Sequence, residues 1–152
     1  MRFPRRQTPR RGSTLVEGAI VLMAFLTLIV GTIDLGLAVL RYNGASQAAR
    51  SAARLAIVRG NITPRATSSW GPGAVTVKGD DTASEISNAV RPYLAGLDPS
   101  KVTIKLEWPA STNAPDDQVK VTITTTYQPM LTFVLGSSAI NLSASSTMRI
   151  AF

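Results

Sequence analysis

The 152-residue chain contains neither cysteine nor histidine. Without cysteine there is no disulfide scaffold and no thiolate metal site. This leaves the compartment open, though it suits an exported protein that never has to manage thiols. Without histidine the chain lacks the commonest general base, the commonest metal ligand and the usual partner of a serine nucleophile. No G-x-S-x-G is present, and Gly71, Gly73 and Gly79 match neither a P-loop nor a dinucleotide fingerprint. The acidic pairs Asp80-Asp81 and Asp116-Asp117 lie in turn-rich stretches without the alternating spacing of a calcium loop, and they read as solvated turn residues. The expectation is a protein that is not an enzyme and holds no metal or cofactor.

Two further absences organise the N-terminal third. No charge falls between Gly18 and Ile33, and no proline falls between Pro9 and Pro64. A bilayer core takes about 20 helical residues. A span from about Thr14 to Ile33 fits, within a membrane helix assigned to 13–40, with Glu17 just inside one boundary and Asp34 at the other. The formal charge of +7 mostly describes a tail, since Arg2, Arg5, Arg6, Arg10 and Arg11 precede the apolar run. From Ser13 onward the net charge is only +2. Nucleic-acid binding is therefore not expected. The arginines instead place the N-terminus in the cytoplasm, because their cluster is denser than Arg41, Arg50, Arg54 and Arg59 beyond the span.

A carboxylate at Glu17, about a turn inside the hydrocarbon, needs either water or a partner. One reading is an interfacial acid that reaches water. The other uses the preceding order Arg10-Arg11-Gly12-Ser13, because a cut after Gly12 would create an α-amino group at Ser13, one turn from Glu17. The ammonium of a neighbouring subunit would then pair with Glu17 and set the axial register of a bundle.

Basic residues, then Gly12, then Glu17 five positions on, then an apolar helix resemble the cleavage site of type IV prepilins and pseudopilins. The resemblance extends to the TadE-like pseudopilins of Tad (tight adherence, Flp) pilus systems. Val16-Glu17 opens the helix as theirs does. Ile33-Asp34-Leu35-Gly36 looks like their closing acidic-then-Gly motif, and the 45–54 stretch, Ala-Ser-Gln-Ala-Ala-Arg-Ser-Ala-Ala-Arg, looks like their Ala/Arg repeat. The chain departs from that pattern at Gly18, where an aromatic is common, and at Met23, where a proline is common. The resemblance implies a structural part of a pilus assembly system in the bacterial inner membrane. It also implies a prepilin peptidase, other pseudopilins or pilins, and an assembly platform as partners, beside the lipid membrane itself.

Beyond the membrane the helix should continue over 41–60, stopping at Gly60-Asn61. Ala45, Ala49, Ala52 and Ala56 share one of its faces, with Arg50 and Arg54 opposite. That face packs either on the chain's own C-terminal domain or between subunits. Residues 61–152 read as an α+β domain. A turn-rich loop covers 61–81, with a short strand possible at 74–77. Asp81 or Thr82 is placed to cap a helix running towards Pro92. Alternation gives strands at 102–108, 119–124 and 140–150, each with one apolar face, which suits an antiparallel sheet covered on one side. The stretch Pro129–Gly136 is apolar without alternation and reads as core cover or an offered surface.

Two rival readings stand beside the pseudopilin one. The first is an uncleaved, signal-anchored envelope protein with a binding or adhesive domain. The second is a secreted soluble protein, which the apolar stretch disfavours because it exceeds the usual signal-peptide core of about 7–15 residues.

Overall fold

The computed structural model describes residues 11–61, 70–130, 132 and 139–151. Most of the basic leader, part of the 61–81 loop, and Leu131 with 133–138 of the apolar stretch lie outside the described residues.

A single helix, α1, runs Arg11–Ile57 over 47 residues, or about 70 Å at 1.5 Å per residue. Nothing in it breaks the ladder, since the segment has no proline. Thr27 and Thr32 return their hydroxyls to the Met23 and Leu28 carbonyls four residues earlier, at 2.8 and 2.9 Å. Both hydroxyls are thereby satisfied within the helix itself. At the far end the Ala56 carbonyl accepts from the Arg59 N–H at 3.1 Å and the Ile57 carbonyl from the Ala151 backbone N–H at 3.0 Å, so the helix terminus is paired both locally and by residue 151.

The remaining elements are β1 (Val75–Lys78), α2 (Glu85–Val90), β2 (Val102–Glu107), β3 (Gln118–Tyr127) and β4 (Ile140–Arg149). The strands form an antiparallel sheet in sequence order, β1-β2-β3-β4. Ile104 faces Val77 on one side and Ile123 on the other, and Ile123 faces Ala144. Val102, Ile104, Leu106, Val119, Val121 and Ile123 are buried on one sheet face, and the alternate residues such as Thr103 and Lys105 point outward. The alanine face of α1 and the α2 residues Ile86 and Val90 close that core. The fold is thus α+β, with the long N-terminal helix laid on a one-sided antiparallel sheet and one further short helix.

The short helix begins later than its cap signals suggest. Asp81 does not cap it; its carboxylate accepts from the Ala83 N–H at 3.0 Å and closes a local turn. The helix starts at Glu85 behind Ser84, ends at Val90, and gives way to a 3-10 turn over Arg91–Tyr93 that accommodates Pro92. Gly44 lets α1 approach this turn, because a Cβ there would lie 3.0 Å from the Tyr93 carbonyl oxygen.

Candidate functional site: the exposed helix and its anchor on the sheet

The two halves of α1 live in different surroundings. In the first half Leu15, Ile20, Met23, Phe25 and Leu28 are each more than half exposed. This is one helix long and apolar enough to cross a membrane, and almost none of its apolar segment is buried against the chain itself. A core helix of the same composition would be covered, so the exposed apolar surface asks for lipid or for other helices. Gly12, Ser13 and Glu17 lie exposed on the opening turns. A Cβ on Gly12, Gly18 or Gly36 would meet nothing within 4 Å. Glu17 stands one turn beyond Ser13 on the same helix.

The second half is held by the sheet. Ala45, Ala49 and Ala52 are fully buried and Ala56 nearly so, and Ala48 and Ala53 join them. Methyl-sized side chains bring the helix backbone close to β3 and β4, its principal neighbours. In this structure the alanine face packs on the chain's own domain, while Arg50 and Arg54 remain exposed.

Between the two halves sits Asp34. It is only 4% exposed, although the residues flanking it, Ile33 and Leu35, are both more than half exposed. Its carboxylate Oδ1 accepts from the Tyr127 hydroxyl at 2.7 Å and from the Met130 backbone N–H at 3.0 Å; the same hydroxyl lies 3.1 Å from the Asp34 carbonyl. Two turns along the helix, the Arg41 guanidinium lies 4.8 Å from the Tyr127 ring centre, a stacking that favours the cation. Asp34 therefore ties the helix to the end of β3. Gly36, its partner in the boundary motif, faces open space instead. Tyr127 carries no sequence signal of this role, since a tyrosine ending a strand is ordinary.

Burial first, then the hydrogen bond to Asp34 and its charge, push the Tyr127 phenol above its ordinary 10.0, with Arg41 opposing. The folded state thus keeps a proton that the unfolded chain releases near pH 10. The stability contributed is complete below that pH and is lost as pH rises through the folded value. Alkaline unfolding followed by tryptophan fluorescence should show a decline above about pH 10 that is shallower in Tyr127→Phe. Equal slopes for the two proteins would refute the assignment.

At the other end of the sheet, Trp70, Trp108, Ile86 and Glu85 line an open cleft of about 440 Å³. Glu85 is engaged by Arg59, whose guanidinium also lies 5.6 Å from the Trp70 ring centre. Gly71 takes a positive φ and packs where a Cβ would strike the Trp108 ring. Among the described residues no three acidic side chains gather into a metal-binding group.

Residues 12–54 match the family model described as TadE-like protein, the family that the Gly12–Glu17, Asp34 and Ala/Arg motifs resemble. The match covers the exposed half of α1, the Asp34 junction and most of the alanine face, and stops before the sheet. No curated protein matches the chain, and no solved structure does.

Proposed function

We propose that this chain is a minor pseudopilin-like component of a Tad-type pilus assembly system, structural and not enzymatic. The observation that carries the reading is where the TadE-like match falls. It covers one continuous helix whose first half is apolar and exposed and whose second half is gripped by the chain's own sheet. That is the division of labour a membrane-stored filament subunit needs. The apolar half is soluble only in lipid or in a helical bundle, and the domain rides outside on the same rod.

In this reading residues 1–12 form a cytoplasmic leader, 13–40 cross the bacterial inner membrane, and 41–60 carry the helix into the exported domain. The arginine cluster sets that direction. A prepilin peptidase cuts after Gly12. The Ser13 ammonium of one subunit then pairs with Glu17 of the next, compensating two charges that are costly in hydrocarbon and fixing the axial step. Neighbouring pseudopilins or pilins and an inner-membrane assembly platform are the partners, and pilus biogenesis and adherence are the outcome.

The test is the intact mass of the membrane-extracted protein, made with and without a prepilin peptidase. Loss of residues 1–12 only in the presence of the peptidase, and no loss in Gly12→Leu, is the expected result. A full-length mass in both preparations would refute processing and favour an uncleaved, signal-anchored envelope protein. A cut near residues 38–47 would make it a secreted soluble domain.

A further inference from the structure

The buried state of Asp34 changes where the membrane ends. By sequence Asp34 closes the charge-free run and marks the outer boundary. In the fold its carboxylate is taken up by Tyr127 and Met130 and shielded from its surroundings, so it no longer forces the helix out of lipid. The next charge along α1 is Arg41. With Glu17 at the inner boundary, a hydrocarbon core of about 30 Å at about 1.5 Å per residue extends to around Leu37, three residues past Asp34. Whatever is bonded to Asp34 is drawn to the same depth.

What is bonded to it is one end of the sheet. β3 reaches Tyr127, two residues beyond Thr125, which pairs with the first residue of β2, and Tyr127 pairs with Ile140 at the start of β4. This corner therefore projects along the helix past the rest of the sheet. It carries exposed apolar side chains, Met130 at 67% and Ile140 at 46%, as α1 does at Leu35, Val39 and Leu40, with the uncharged Gln128 and Asn141 exposed among them. Ile140 belongs by alternation to the core face of β4, yet it is about half exposed here. The sequence carries no charge at all from Val121 to Met148. Charge resumes only with Lys120 and Arg149, a mutually close pair of positions at the opposite end of β3 and β4. Arg41 and Tyr42 then sit about two turns above Asp34, at the height where a cation and an aromatic ring favour the headgroup layer.

We propose that this corner of the sheet, presenting Met130 and Ile140, is immersed in the outer-leaflet interface of the bilayer, so that the exported domain has a lipid contact of its own beside the spanning helix. The inference rests on the reading that α1 spans the membrane. Met130 and Tyr127 bond directly to Asp34 at the end of the span's charge-free run, so lipid that solvates the span reaches the exposed Met130 as well. The domain is then held against the membrane by two neighbouring contacts, one on the helix and one on the sheet, with the Asp34–Tyr127 bond between them.

Because the chain lacks cysteine, single-cysteine variants of the full chain report each position separately. Leu26→Cys marks the span, Met130→Cys and Ile140→Cys the corner, and Ala110→Cys the opposite end of the sheet. Each is labelled with a polarity-sensitive nitrobenzoxadiazole dye and reconstituted in vesicles of phosphatidylcholine and phosphatidylglycerol containing lipids with a nitroxide high or deep on the acyl chain, the deep one reading position 26 and the high one positions 130 and 140. The expected result is a blue-shifted emission at 26, 130 and 140 that loses at least about half its intensity to the nitroxide, with no change at 110. Quenching at 26 but not at 130 and 140 overturns the proposal and leaves the span intact. A blue-shifted but unquenched label at 130 means that protein, not lipid, covers the corner, and also overturns it. No quenching at 26 removes the span and the proposal together.

Discussion

Asp34→Ala is expected to destabilise the fold by about 1–3 kcal/mol. The substitution orphans the Met130 N–H and takes from the Tyr127 hydroxyl the shorter of its two contacts, leaving it the Asp34 backbone carbonyl at 3.1 Å, and an unsatisfied buried donor costs about 1–3 kcal/mol. Part of that is returned, because a carboxylate that was expensive to bury is gone. The net remains a large share of the roughly 5–15 kcal/mol that holds a domain together. Asp34→Asn keeps an oxygen acceptor in place and should recover about half or more of the loss, since hydrogen bonds to a neutral acceptor are weaker than those to a charged one but still satisfy the donors. Denaturant unfolding of the full chain in detergent micelles, read by Trp70 and Trp108 at the opposite end of the sheet, gives both values. Asp34→Ala within about 0.5 kcal/mol of the parent would show that the junction contributes nothing to the fold.

The contrast between Asp34 and the strands explains what could be read from the residues alone. The period-2 pattern of β2, β3 and β4 is a local consequence of having one face covered, so Val102–Leu106 and Val119–Ile123 announce both strand and orientation. The long helix is equally local: it needs only the missing proline and the apolar run. The α+β architecture follows from those two signals. The Asp34–Tyr127 bond joins residues 93 apart in sequence, and nothing near either residue encodes the other. An acid at the end of an apolar run reads as a boundary, and only the fold turns it into an anchor. The start of α2 misleads for a different reason. Asp81 has the composition of a cap, but Asp and Thr side chains bond the backbone in turns as readily as at helix starts, and the turn wins here. The strand order, a simple meander, is set by connections such as the 108–117 loop whose path composition does not specify.

Ala52→Leu should cost about 2–3 kcal/mol, whereas Ala24→Leu on the same helix should fall within about 0.5 kcal/mol of the parent. Ala52 has no exposed surface and lies against the sheet core, while Ala24 is exposed in the apolar half. Three added carbons at Ala52 have no void to enter, so either the helix moves off β3 and β4 or neighbours leave their preferred rotamers. Moving the helix would also stretch the Gly44–Tyr93 approach on one side of it and the Asp34–Tyr127 bond nearer the membrane, because a rigid rod cannot yield at one turn alone. The Ala48→Leu and Ala52→Leu pair, one turn apart, should therefore be less than additive, since the first displacement makes room for the second. Unfolding in micelles measures the parent, the three single variants and the double variant on one scale. If Ala52→Leu were as harmless as Ala24→Leu, the small residues of α1 would not be required by its own sheet. Their reason would then have to lie between subunits, where close helix approach asks for the same alanines.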